Sequence, residues 1–445
     1  MTNNKAKKLI LLEKALKLMA VLVLKKYKPR VVGITGSIGK TSAKEAVFTV
    51  LAGHFRVRKN EKNYNNEVGL PLTIIGAESG EKSFIGWLLV FLRWLRILIF
   101  PFKYPEVLIL EMGADRPGDI KYLTSFIKSE MAVITDISSS HLEFFKNIEG
   151  VAAEKWVLAE SLDEKGLAAV NIDNPQILKK VKSSPKERIS FFTFGFSEEA
   201  EIRATDVLYN YSSENGNEGA GELKGLSFKL NYKGTSIPVR LNNVLARHNI
   251  YAALAAISAG IAFGLNLVEI GAALANFSMP CGRMNLISGI KNSQIIDDTY
   301  NSSPVSALAA LEALGDIKTG RKIAVLGDML ELGKNTETGH KSVAKKFLEI
   351  KGDIFFAVGK RMRFAIEELE KNDFPSDRIF TFFDPEKAGR KLQRIIKEGD
   401  VVLVKGSQGM RMEKIVEEIM VEPEKSGNYL CRQSLAWKER PWREV

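Results

Sequence analysis

The stretch Val31-Val32-Gly33-Ile34-Thr35-Gly36-Ser37-Ile38-Gly39-Lys40-Thr41-Ser42 narrows the fold of this chain more than any other. An apolar, β-branched run ends in a glycine turn, Lys40 and Thr41 follow at once, and Ala43, Val47 and Leu51 continue at helical spacing. Strand, glycine loop and helix in that order make a phosphate cradle. Gly36 and Gly39 let backbone N–H groups approach anionic oxygens, and the helix presents its positive end. Within the cradle, which includes Ser37 and Ser42, Lys40 is expected to neutralise β- and γ-phosphate oxygens and the Thr41 hydroxyl to ligate Mg²⁺. The spacing departs by one residue from the usual pattern: Ile34 stands where glycine is common, and Gly33 precedes it. A bare glycine turn would leave Lys40 and Thr41 unexplained.

At 445 residues the chain exceeds what one hydrophobic core organises, so two or three domains are expected. Its formal net charge of +11 points to an anionic partner. The basic residues are scattered and form no arginine–aromatic array, which argues against nucleic acid and for a polyphosphate substrate or an anionic lipid surface. Cys281 and Cys431 are the only cysteines and lie far apart in sequence, as suits a reducing, cytoplasmic compartment. The lysine-rich start shows no small-residue cleavage site and does not read as a signal peptide.

Residues 1–30 read as a basic amphipathic helix. Residues 31–279 read as a nucleotide-binding α/β domain, with strand-like runs at 31–35, 107–111 and 131–135 implying a mostly parallel sheet. Alternation over 225–241 predicts antiparallel strands, and an alanine-rich helix follows over 247–263. A smaller, Rossmann-like α/β domain is expected over 280–420, with strands at 294–298, 322–327, 354–358 and 401–405. Residues 421–445 read as a peripheral tail. Between Phe84 and Phe102 runs an apolar segment with Arg93 and Arg96 at its centre. Central arginines cost about 2.5–3.5 kcal/mol each in a membrane-spanning helix. The segment is therefore expected to lie on the inner membrane surface, the alternative being a hairpin packed on the domain or a partner.

Further residues carry chemistry at strand ends. Val107-Leu108-Ile109-Leu110-Glu111 closes on a carboxylate, a common Mg²⁺ holder beside a phosphate loop. His141 follows the run 131–137 on the same loop side and is a candidate metal ligand. Lys155, taken alone, is an ordinary helix lysine. Asn249 opens the alanine helix, where an amide can read an adenine edge. In the second domain Asp297-Asp298-Thr299-Tyr300-Asn301 closes a strand shortly after Gly282-Arg283, and an arginine there can bridge to a transferring phosphoryl group.

Taken in order, these motifs resemble the Mur ligase family of ATP-dependent, amide-forming enzymes of peptidoglycan synthesis. The resemblance rests on Gly33–Ser42, Asn63–Pro71, Glu111–Ala114, His141–Glu143 with Lys155, Arg247–Asn249, Gly282-Arg283, Asp297–Asn301, Gly327–Gly333 and Val404–Ser407, over roughly residues 30–420. It implies that Lys40 and Thr41 bind ATP phosphates and Mg²⁺, and that Glu111 and His141 hold a second Mg²⁺. It further implies a carbamoylated Lys155, Asn249 on adenine, Asp298 on the nucleotide and Arg283 on the γ-phosphate. Asn65, Asn66, Tyr300 and Asn301 would face the substrates. The implied reaction joins D-alanyl-D-alanine to a muramoyl peptide through an acyl phosphate, catalysed by a monomer whose second domain closes over the first. Members usually begin with a separate uridine-nucleotide-binding domain. With about thirty residues before the cradle, a chain without that domain is expected. The same ATP machinery serves folylpolyglutamate- and cyanophycin-synthetase-like ligases, and a P-loop protein without ligase activity is the reading from another class.

Overall fold

The computed structural model describes residues 2–61, 64–138, 142–185, 189–212, 223–318 and 320–438. Two sheets organise it. The larger has nine strands: β1 (Arg30–Thr35), β2 (Val57–Lys59), β3 (Val107–Glu111), β4 (Met131–Ile134), β5 (Leu167–Asn171), β6 (Ser190–Gly195), β7 (Ile202–Tyr211), β8 (Leu223–Tyr232) and β9 (Thr235–Asn242). Their order is β2-β3-β1-β4-β5-β6-β7-β8-β9, and β2 through β7 pair in parallel. The apolar runs at 31–35, 107–111 and 131–135 thus become three adjacent strands, β3, β1 and β4, buried on both faces as parallel strands are.

Helices cover this sheet. In chain order the first five are α1 (Thr2–Tyr27), α2 (Lys40–Leu51), α3 (Gly69–Ile75), α4 (Phe84–Ile99) and α5 (Asp119–Thr124). The basic N-terminal segment is helical, as its periodicity predicts, and it buries Leu16, Ala20 and Val23 along one face. The alanine-rich stretch forms a helix from Ile250 to Ala262, and nearly every one of its residues is buried.

The second sheet comprises β10 (Asn285–Gly289), β11 (Ser293–Asp298), β12 (Lys322–Gly327), β13 (Ile354–Val358), β14 (Ile379–Phe382) and β15 (Val401–Lys405). Its order is β10-β11-β15-β12-β13-β14, parallel except for β10, which runs antiparallel to β11 at one edge.

The chain groups into two compact units. One contains Met1–Asp206, Phe228–Val239 and His248–Phe277; the other contains Val207–Ser227, Arg240–Arg247 and Ser278–Val445. The division passes through β7, β8 and β9, because these strands are long and serve both groups of contacts. Of the residues expected as a peripheral tail, those described, up to Lys438, belong to the second unit. Leu430 is 3% exposed, and the Arg432 guanidinium donates to the backbone oxygens of Thr299 and Tyr300.

Candidate active site

In the first unit, register decides what meets. Ile34 pairs with Glu111 across β1 and β3, and Thr35 pairs with Ile134 across β1 and β4. The glycine loop, the Glu111 carboxylate and the 135–138 loop therefore open at one edge, at the carboxyl ends of parallel strands, where α/β sheets hold their ligands. Backbone bonds fix the loop there: the Ser37 N–H donates to Asp136 O at 2.8 Å, and the Thr135 hydroxyl donates to Ile38 O at 2.6 Å. Two glycines are obligatory. A Cβ on Gly36 would lie 2.0 Å from Thr135 Oγ1, and Gly39 caps α2 at φ +82°.

A cavity of about 820 Å³ opens on this loop. Gly36, Ser37, Lys40, Asn65, Asn66 and Lys155 line it, together with the loop 113–119 and Glu13 from α1. The Lys40 ammonium folds back onto Gly36 O at 2.7 Å and Ser37 O at 3.2 Å, within the loop it would use to meet phosphate. Thr41 and the buried Ser42 sit in the first turn of α2. Glu111 is 5% exposed and reaches the cavity through Asn65, whose Nδ2 donates to Glu111 Oε1 at 3.3 Å. Asn66 Oδ1 accepts from the N–H of Gly69, the first residue of α3, at 2.9 Å. His141 lies outside the described residues.

Lys155 carries the most unusual electrostatics. It is 2% exposed on the helix Ile148–Glu160, and burial, followed by the Lys40 charge, pulls its ammonium down from 10.5 to about 8. Glu154, Asp115 and Asp136 oppose that shift. Glu154 also braces the cavity wall. Its carboxylate accepts from the N–H groups of Gly118 and Ile120, both at 2.7 Å, and so pins the start of α5.

Two residues that no motif marks, Lys44 and Asn60, shape the Glu111 environment. Lys44, 2% exposed, sits 3.8 Å from Glu111 Oε2 and donates to Asn60 O at 2.7 Å. Asn60, fully buried, accepts from the Glu111 N–H at 2.8 Å and donates to Tyr64 O at 3.2 Å. Lys59 pairs with Glu45, which also faces Lys44. Asn60→Ala is expected to destabilise the chain by about 1–3 kcal/mol, since it orphans buried backbone groups on both sides. Urea unfolding read through its midpoint checks this, with no change in slope.

The residues present suit a metal–nucleotide complex. Among the described residues no three His, Cys, Asp or Glu side chains converge as a metal cluster. Mg²⁺ needs none, because it is typically held by one or two protein oxygens and completes its shell with phosphates and water. Thr41 and Glu111 supply hard oxygens of that kind. Asp136 Oδ2 and Asn249 Nδ2 are buried with no hydrogen-bond partner among the described residues, one beside the glycine loop and one at the start of the helix Ile250–Ala262. Unmet polar atoms of this sort mark places a polar ligand would satisfy.

The second unit gathers its own motifs. Asp298 forms an ion pair with Lys405 at 2.6 Å, and the same ammonium donates to Asn301 O at 2.9 Å. The Arg283 guanidinium lies over the Tyr300 ring at 4.3 Å. Asp297 is fully buried and accepts from the Gly282 and Thr299 N–H groups and the Thr299 hydroxyl, yet burial pushes its carboxyl up to about 7. Ser407 accepts from the Leu330 N–H at 2.8 Å and donates to Ser302 O at 3.3 Å, drawing the 327–333 and 404–407 stretches beside 297–301.

Comparison with known proteins finds two matched regions. Residues 95–260 match the family described as the Mur ligase middle domain, and residues 282–408 match the Mur ligase glutamate ligase domain. The chain is similar to the UDP-N-acetylmuramoyl-tripeptide–D-alanyl-D-alanine ligase of Bacillus subtilis, at 30% identity over 410 residues covering 92% of this chain and 80% of that protein. Its fold resembles MurF from Acinetobacter baumannii, with a TM-score of 0.73, 25% identity and coverage of 91% and 79% of the two chains. It also resembles the MurF ligase of Thermotoga maritima in complex with ADP, with a TM-score of 0.72, 27% identity and coverage of 93% and 84%.

Proposed function

The chain belongs to the Mur ligase family of ATP-dependent ligases, and on that premise we propose that it joins D-alanyl-D-alanine to a UDP-muramoyl tripeptide in peptidoglycan synthesis. The observation that carries this reading is one cavity lined by the glycine loop, Lys40, Lys155 and the Asn65-Asn66 pair. Phosphate-binding groups, a lysine of lowered basicity and polar side chains for an acid substrate share one space there.

In this reading the substrate carboxylate attacks the γ-phosphorus of ATP. A carboxyl O–P bond forms, the bond to the β-phosphate oxygen breaks, and ADP leaves. Lys40 swings from its own loop carbonyls to the β- and γ-phosphate oxygens and offsets their developing charge. The amine of D-alanyl-D-alanine then attacks the acyl carbon, phosphate departs, and the nitrogen loses its proton to give the amide. Gly36, Ser37, Gly39, Thr41 and Ser42 cradle the phosphates, and Asn249 meets the adenine edge. Thr41 would hold one Mg²⁺ and Glu111 with His141 a second, and these ions would supply charge neutralisation at the phosphates. Lys155 is carbamoylated: its neutral amine adds to CO₂, an N–C bond forms, the proton leaves, and a carboxylate remains to orient the metal site. From the second unit, Arg283 and Asp298 are assigned to the nucleotide, and Tyr300 and Asn301 to the substrates.

Incubation of the chain with ATP, Mg²⁺, D-alanyl-D-alanine and UDP-muramoyl tripeptide, followed by mass spectrometry, tests the proposal. A product heavier than the tripeptide by D-alanyl-D-alanine less water, formed with one ADP and one phosphate, is expected. ADP release without that product, or product only with glutamate or another amine acceptor, would move the chain to a different ligase branch.

A further inference from the structure

The helix pair α1 and α4 has a surface that the ligase reading leaves unused. On α4, Phe84 is 83% exposed, Ile85 67%, Leu89 61% and Ile99 62%. On α1, Leu11, Leu18 and Leu22 recur at seven and four residues, so they form one stripe, and all three are exposed. These apolar faces are held rigidly. The Lys26 ammonium caps the end of α4 through Ile97 O and Leu98 O, both at 2.9 Å. The Tyr27 hydroxyl donates to Ile97 O at 2.7 Å, and Trp94 Nε1 donates to Met19 O at 3.0 Å.

Charge identifies the occupant. Exposed Lys14, Lys25 and Lys28 on the α1 segment and exposed Arg93, Arg96 and Lys103 on the α4 segment are interspersed with the apolar residues along the chain. Residues 9–28 contain one acid, Glu13, and residues 84–103 contain none. A second copy of the chain docked face to face would set these cations against their own kind. An anionic surface with an apolar interior matches both features. We propose that α1 and α4 dock the enzyme on an anionic lipid bilayer, lying in the headgroup plane.

Spanning is excluded by size and charge. The 16 residues of α4 extend about 24 Å, short of the roughly 30 Å hydrocarbon core, and its arginines fall inside the run. Among the described residues no helix is long and apolar enough to cross a membrane. The docked helix α1 also carries Glu13 into the cavity wall, so the cavity lies about one helix diameter, roughly 10 Å, from the lipid. Docking stands on the helix pair alone and is independent of which acid the enzyme ligates.

Vesicle flotation of the full chain distinguishes the outcomes, with phosphatidylcholine vesicles against vesicles containing about one-third phosphatidylglycerol. The chain is expected to float with the anionic vesicles and to be released as salt rises well above about 0.1 M. Leu89→Glu with Leu92→Glu, and separately Arg93→Glu with Arg96→Glu, should each lower binding on the order of tenfold or more. All four side chains are exposed, so thermal melting and turnover of soluble substrate should match the parent. Failure to float, or equal flotation of parent and both double variants, overturns the proposal. So does a dimer in sedimentation velocity that Leu89→Glu with Leu92→Glu dissolves, which would give the face to a second copy.

Discussion

Lys40→Ala is expected to lower kcat for amide formation by about 10³-fold, the cost typical of removing a positioned charge donor from an oxyanion. In the structure its ammonium donates to Gly36 O and Ser37 O, contacts that phosphate oxygens would replace in the proposed reaction. Stability should barely change, because the residue is half-buried and its ammonium lies at the cavity lining. A second readout separates a phosphate role from mere loop bracing. The Lys40 charge is the next cause after burial of the lowered basicity of Lys155. Its removal should therefore raise the Lys155 pKa and move the alkaline-rising limb of the activity profile to higher pH. Lys40→Arg, which keeps the charge in the wrong shape, should restore the pH profile without restoring the rate. An alanine variant with kcat within tenfold of the parent would remove Lys40 from the chemistry.

The parts of the two units' candidate sites that are legible in sequence are those written locally. The strand, glycine loop and helix of residues 31–51 are contiguous, and Glu111 and Asp298 announce themselves by closing apolar runs. Lys44 does not, because a lysine four residues after Lys40 on an amphipathic helix reads as solvent-facing. Only the approach of β3 and of Asn60, which contacts Glu111 across 51 residues, turns it into a buried counter-ion. Glu154 reads as a surface neighbour of Lys155 until α5 brings its N–H groups to the carboxylate. Arg432 holds Thr299 and Tyr300 across more than 130 residues, beyond the reach of any local pattern. Among strands, β5 (Leu-Ala-Ala-Val-Asn) is short, alanine-rich and buried on both faces, so neither alternation nor β-branching marks it. Periodicity tells which face of an element is buried; what waits across from it comes from topology.

Lys155→Met gives the other large effect, with activity and stability moving in opposite directions. Turnover should fall on the order of 100-fold, as when a group that orients a metal ligand set is lost. Folding should become more favourable at neutral pH. The gap between 10.5 and about 8 corresponds to about 3 kcal/mol charged against the folded state wherever the ammonium must stay protonated. The sign follows from proton counts. Below about pH 8 both states hold the proton and the burial cost is complete. Between about 8 and 10.5 the unfolded state holds more protons than the folded one, so stability rises with pH, and above 10.5 the cost has gone. Methionine keeps the apolar stem and has no charge, so its urea midpoints in CO₂-free buffer should exceed those of the parent most below about pH 8 and converge with them toward 10.5. The same lowered basicity makes the neutral amine about two and a half powers of ten more abundant at pH 7 than in an ordinary lysine. CO₂ has that amine to react with. Parent activity should accordingly fall on CO₂ depletion and return with bicarbonate, and ¹³C-labelled bicarbonate should give a carbamate resonance that Lys155→Met abolishes. A variant that lost stability at pH 7, or a parent indifferent to CO₂, would mean that Lys155 is held protonated as a structural cation.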